Sequence, residues 1–323
     1  MDKPQSGFHN RRMTDTTLPD ARTPILHHYK ESPYAEKIRT LLGYKGIPWR
    51  SVIVPRIAPK PDLTALTGGY RKVPVLQVGA DVYCDTRLIA EVLDALAPEP
   101  SLKTAAGSLG PLLENWVDNT LFVKAVDFTF GQIADVVPPA LLADRGALRG
   151  APLEPEALKA AVPLARQSLQ LHMAWLEQAL ADQRPYFNGQ TPDVGDFTLF
   201  STLWFARVGR FDFSAYPLLA AWLARMDAWG HGNAQPLDAE QALAVARQSA
   251  SVPLLASVLP DGSGLTPGQR VAVTPEQAGH GTTVEGELVA ITPQRLTLRH
   301  ADERCRTVHV HFPRLGYRVR ALA

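Results

Sequence analysis

Three short stretches early in the 323-residue chain carry side chains able to handle a small thiol ligand. Ser32 stands before Pro33 at the corner between a strand-like run and a helix-like run. A helix N-terminus leaves backbone N–H groups unpaired and carries the positive end of the helix dipole, so it favours an anion. A hydroxyl at that corner can also donate to a thiolate. A free thiol titrates near about 8.5 and is mostly protonated at neutral pH. Lowering that value by about two units takes roughly 2.7 kcal/mol, the order that one hydroxyl donor and a helix terminus supply together. Val73-Pro74 follows the basic pair Arg71-Lys72 and opens a strand. An X-Pro bond there can be cis, and the Val73 backbone N–H and C=O would then be open to a peptide-like ligand, as to an added strand. Asp85-Thr86 begins a later helix. A carboxylate and a hydroxyl beside free N–H groups suit the ammonium and carboxylate of an α-amino-acid end. Taken singly, each has a plainer account: Ser32 and Asp85-Thr86 as helix caps, Pro74 as an edge-strand proline.

The elements that must bring these residues together follow from periodicity. PILHHY (24–29) reads as a strand. SPYAEKIRTLLGYKG reads as a helix, with Ile38, Leu41 and Leu42 at helical spacing and Gly46 as its stop. WRSVIVP is a second strand, followed by a loop over 55–70. VPVLQV and DVYC form a hairpin about Gly79, and a helix starts near Thr86. The order β-α-β, loop, β-β-α predicts an α/β, thioredoxin-like domain over 23–100. An all-helical domain over 107–250 follows, in which Asp193 caps a helix and Asp196 sits three positions on, a capping-box variant. After the linker PDGSGLTPG come QRVAV, TVEGELVAI, RLTLRH, TVHVHF and YRVRAL. These short alternating runs predict a separate, small all-β domain over 264–323, an SH3-like barrel.

Composition narrows the function classes. The formal net charge of +1 argues for neither a nucleic-acid partner nor an acidic-ligand trap. No apolar window is long enough for a membrane span. Residues 1–22 are polar, unlike a secretory signal, and read as a disordered tail. Cys84 and Cys305 lie far apart and outside any CxxC or metal-ligand spacing, which suits a reducing, cytoplasmic setting. The pairs His27-His28 and His309-x-His311 fall in strand-like runs, where alternation puts the adjacent His27 and His28 on opposite faces, and no metal site is expected at either pair.

Taken together, SPYAEKIR, KVPVL and CDTRLIAEVLD resemble the N-terminal domain of the glutathione transferase superfamily, and FNGQTPDVGD resembles the capping motif of its helical domain. The resemblance spans residues 23–235 and leaves 264–323 without a role. It implies that Ser32 matches the active-site Ser or Cys position. Val73-Pro74 matches the cis-proline element whose preceding residue pairs with the glutathione backbone. Asp85-Thr86 matches the Glu/Gln-Ser pair at the γ-glutamyl end, Lys72 meets the glycyl carboxylate, and Asp193 and Asp196 are structural. With Ser at 32 and Ala at 35, a dithiol cycle and a Cys mixed disulfide are excluded at this position. Asp and Thr stand where Glu and Ser are commoner. Tyr29 is a second hydroxyl candidate in poorer register than Ser32. The resemblance further implies a homodimer that uses glutathione as cosubstrate and activates its thiol against a small hydrophobic electrophile. Trp116, Asn119, Phe122 and Val123 share one helical side and are candidates for the electrophile site or for core packing. A glutathione-dependent isomerase or dehalogenase, and a non-catalytic binding protein, are the alternatives.

Overall fold

Strand β1 (Ile25–His28) is buried along its whole length because it is a central strand, between parallel β2 (Trp49–Ile53) and antiparallel β3 (Val75–Val78). The computed structural model describes residues 18–103, 109–252, 262–276 and 283–322, so most of the tail expected over 1–22 lies outside the described residues. Helix α1 (Pro33–Lys45) links β1 to β2. Ser32 Oγ caps it by accepting from Ala35 N at 3.2 Å, Pro33 takes its first turn, and Gly46 ends it at φ 62°. The expected loop over 55–70 holds a helix, α2 (Pro61–Thr67), started by proline and anchored by buried Leu63 and Leu66. Strand β3 turns back into β4 (Asp81–Cys84), and α3 (Thr86–Leu96) completes the thioredoxin-like domain.

In the helical domain, α4 (Gly110–Trp116) and α5 (Phe122–Gln132) are joined by a π-helical turn over Val117–Leu121. Helices α6 (Pro139–Arg149), α7 (Pro155–Ala179), α8 (Val194–Val208) and α9 (Pro217–Asp227) follow. The expected capping box starts α8. Asp193 Oδ1 accepts from Gly195 N at 2.8 Å, and Asp196 Oδ2 accepts from Asp193 N at 3.3 Å. Asp196 Oδ1 also accepts from Phe187 N and from Trp222 Nε1, each at 2.9 Å, which ties the loop and the core indole to the cap. Strand β5 (Ala234–Pro236) returns beside β2, and α10 (Ala239–Gln248) crosses the other face of the sheet.

The C-terminal strands are β6 (Arg270–Pro275), β7 (Val284–Ile291), β8 (Arg295–Asp302), β9 (Arg306–Pro313) and β10 (Tyr317–Ala321). They form an antiparallel run in the order β10-β6-β7-β8-β9. They are continuous with the sheet of the first domain. Strand β9 pairs in parallel with β4, Asp81 opposite His309 and Tyr83 opposite His311, so one ten-stranded sheet runs through both regions. The seam is specific. The buried Asp81 carboxylate meets His311 Nε2 and the Val252 N–H, each at 2.8 Å. His311 Nδ1 then accepts from Thr297 Oγ1 at 2.9 Å, and Tyr83 stacks on the imidazole at 4.5 Å. Burial lowers the His311 pKa, keeping it the neutral partner that this arrangement needs.

Two apolar cores flank the sheet. Leu26, Ile38, Leu41 and Ile89 pack with Phe197 and Trp222 of the helical domain. Ile25, Val52 and Leu66 pack with Leu243, Val310 and Phe312, so the C-terminal strands share the second core of the thioredoxin-like domain.

Candidate active site

The N-terminus of α1 opens on a cavity of about 1000 Å³ between the first domain and the helical domain. Ser32, Lys72, Val73, Pro74, Asp85 and Thr86 all border it. Ser32 is 2% exposed and its Oγ already accepts from Ala35 N, which leaves the hydroxyl proton available to donate. The Val73–Pro74 bond is cis. The Val73 N–H and C=O take part in no backbone bond among the described residues. Burial lowers the Lys72 pKa against the opposing charge of Asp85. Tyr29 is turned toward a basic rim: its hydroxyl accepts from Arg145 Nη2 at 3.0 Å and its ring lies under the Lys60 ammonium at 5.4 Å.

Asp85 caps α3 with a positive φ of 78°, Oδ1 accepting from Arg87 N at 3.0 Å. Thr86 Oγ1 accepts from Lys37 Nζ at 3.2 Å. Lys37 is fully buried and bonds Glu114 at 2.6 Å, and Arg87 reaches the other Glu114 oxygen at 3.2 Å. This ion network links the cap of α3 to α4. Beside it, on the π-helical turn, Asp118 faces the cavity with Oδ1 buried and unpartnered. Burial pushes its pKa up to about 7; Lys37 and Arg87 oppose the rise, and Glu114 and Asp85 add to it.

Of the four residues expected at the electrophile site, Asn119, Phe122 and Val123 border the cavity, and the Phe122 ring packs on Tyr34 at 4.7 Å. Trp116 does not. It packs against the main core and His172, its ring 5.6 Å from the imidazole. The π-helical turn between Trp116 and Phe122 is the reason, because its wider winding breaks the regular period that put the four on one side.

Several bordering residues stand outside the site candidates that the sequence offers. Lys60 is 6% exposed and lies at the start of α2, and beyond its place over the Tyr29 ring its ammonium has no hydrogen-bond or ion-pair partner among the described residues. Burial, then the nearby Arg145 charge, lowers its pKa to about 8. Arg71 pairs with Asp144 at 3.0 Å, and Arg145 also holds Asp144. Tyr70 and Tyr317 border the cavity from the thioredoxin-like domain and from β10. Only Asp118 had a usable signal, four positions before Phe122.

Two family models match the chain: the glutathione S-transferase N-terminal domain over residues 26–101 and the C-terminal domain over 159–225. No curated protein matches. Among solved structures, a GST-like protein from Pseudomonas syringae is 36% identical with a TM-score of 0.77, over 93% of this chain and 100% of that one. A share that large cannot leave out the C-terminal strands. A glutathione S-transferase from Rhodospirillum rubrum F11 is 21% identical, TM-score 0.51, over 64% of this chain and 88% of that one. FzlA from C. crescentus is 22% identical, TM-score 0.50, with the same coverage. The last two share the fold alone. With both domain models matched and a 36% identical relative covered end to end, the chain belongs to the glutathione S-transferase family.

Proposed function

We infer that this protein binds glutathione with its sulfur beside Ser32 and activates the thiol for attack on a small electrophile. The observation that carries the reading is the Ser32 hydroxyl, which accepts from Ala35 N and so has its proton free to donate at the N-terminus of α1, on the cavity wall. There it stabilises a thiolate together with the helix dipole. The γ-glutamyl end would meet Asp85 and Thr86, and the peptide backbone would pair with Val73. The glycyl carboxylate would meet the unpartnered Lys60 ammonium, with Lys72 nearby, since a desolvated cation gains most from an anionic partner. The electrophile would lie against Asn119, Phe122 and Val123, where proximity supplies much of the rate.

The same reading takes the protein as a cytoplasmic homodimer. Both cysteines are free and buried, as a reducing compartment allows. Leu164, Leu171 and Trp175 leave an exposed apolar stripe on α7 for a second copy. Among the described residues no helix is long and apolar enough to cross a membrane.

The test is calorimetric titration of glutathione into the wild type, Ser32→Ala and Thr86→Ala, with initial rates on a chloronitrobenzene and other electrophiles. Saturable binding is expected in the wild type and Ser32→Ala, and weaker binding in Thr86→Ala. Ser32→Ala should lose about ten- to hundredfold in turnover, the worth of one hydrogen bond to a charged group. No saturation at millimolar glutathione would overturn the reading. Binding without turnover on any electrophile would turn it toward a non-catalytic binding protein.

A further inference from the structure

The C-terminal strands do more than extend the sheet. Tyr317, the first residue of β10, projects into the site and is 6% exposed. Its hydroxyl donates to Asp85 Oδ2 at 3.2 Å. The Tyr70 hydroxyl lies 3.2 Å from the Tyr317 hydroxyl oxygen. A phenol has one proton, and Tyr317 spends its own on Asp85, so Tyr70 is the donor in that contact. The result is a directed relay, Tyr70 to Tyr317 to Asp85. Burial, with the nearby Asp85 charge, holds both phenols well above their ordinary pKa, so both remain proton donors at neutral pH.

The relay is rigidly mounted. The Tyr317 ring packs on Phe312 at 5.5 Å, and Phe312 packs edge-on against Tyr70 at 5.9 Å. Tyr317 pairs with Pro275 in the β10–β6 ladder, and Gly316 O accepts from Glu276 N at 2.9 Å. From β6 the sheet runs through β7, β8 and β9 to β4, which ends at Cys84, the residue before Asp85. Asp85 is thus approached by the same sheet from two sides. Its backbone follows β4, and its side chain is met by β10.

Asp85 needs such support. It is a short carboxylate held at φ 78° and ψ 134°, a positive-φ conformation outside the left-handed helical well that L side chains seldom adopt. Oδ1 is committed to the cap of α3 and Oδ2 to Tyr317. A carboxylate offers about four lone-pair sites, so two remain for an incoming ammonium, in fixed directions.

We propose that Tyr317 is a positioning residue for the ligand's γ-glutamyl end, and that the C-terminal strands serve the active site by aiming Asp85 through the Tyr70–Tyr317 relay. The proposal rests on the glutathione reading above. Without the relay Asp85 keeps its cap but its second oxygen is free to swing toward solvent, and the ligand must then immobilise it on binding.

The test is calorimetry on Tyr317→Phe and Tyr70→Phe, each against glutathione and against the analogue lacking only the α-amino group. Both variants keep the ring in the core, and urea unfolding checks that each is folded. Tyr317→Phe should weaken glutathione about five- to tenfold and leave the desamino analogue within about twofold. Tyr70→Phe should shift in the same direction by less. Equal loss for both ligands would reduce Tyr317 to a structural role and overturn the proposal. So would an unchanged glutathione affinity in a folded Tyr317→Phe. If the wild type itself binds no glutathione, the parent reading falls and takes this one with it, an outcome distinct from a wild type that binds and a variant that binds equally well.

Discussion

Asp118→Asn gives the sharpest physical test of the site's electrostatics. The folded protein holds this carboxyl protonated up to a pKa of about 7, against 3.8 ordinarily, because Oδ1 is buried without a partner beside Glu114 and Asp85. Between those two values the folded state binds a proton that the unfolded chain has released. Stability then falls as pH rises through that window, since protonation favours the folded form. About three units correspond to roughly 4 kcal/mol, and a side chain with part of its surface at the cavity will realise about 2–4 kcal/mol of it. Asparagine has the same shape and no titration. The variant should match the wild type at about pH 4 and exceed it by about 2–4 kcal/mol at about pH 8. Urea unfolding of both proteins across that range measures the difference, in which titrating groups remote from Asp118 cancel. Parallel stability profiles, or a variant less stable at about pH 8, would refute the reasoning.

Two further changes probe the frame around the site. Lys37→Met removes the cation that bonds Glu114 at 2.6 Å in the interior and should cost about 3–5 kcal/mol in urea unfolding. A Lys37→Met, Glu114→Met double variant should recover much of that loss, and no recovery would speak against a buried-charge origin. Gly43→Ala would drive a Cβ into the backbone carbonyls of Trp229 and Gly230, where α1 meets the segment after α9. It should lower stability by about 3 kcal/mol, and an unchanged thermal midpoint would contradict that close approach.

Ser32, Val73-Pro74 and Asp85-Thr86 were legible because each lies at the start of an element, where capping chemistry and proline restrict the local backbone. The Asp193–Asp196 box was legible for the same reason. Of the two roles open to Trp116, core packing is the one the structure gives it, because the π-helical turn after it has a different winding from a regular helix. The helix at 61–67 is hard to see in the sequence, because Pro61, Thr64 and Thr67 mask the two leucines that anchor it. The C-terminal strands were recognisable from alternation, but alternation gives the face of a strand and not its neighbour. Nothing local to β9 announces that it will lie beside β4, and Tyr317 is 232 positions from the carboxylate it holds.

The parallel pairing of β9 with β4 also decides where this sheet can meet another chain. An uncovered β4 would present a row of unpaired amides and carbonyls, an invitation to strand addition. With β9 there, the outer edges of the sheet are β10 and β5. Both are poor templates. Strand β10 is five residues long with exposed Arg318 and Arg320, and β5 has three residues and ends at Pro236. Charge repulsion guards one edge and brevity with a missing amide guards the other, so both edges of the sheet disfavour strand addition by another chain.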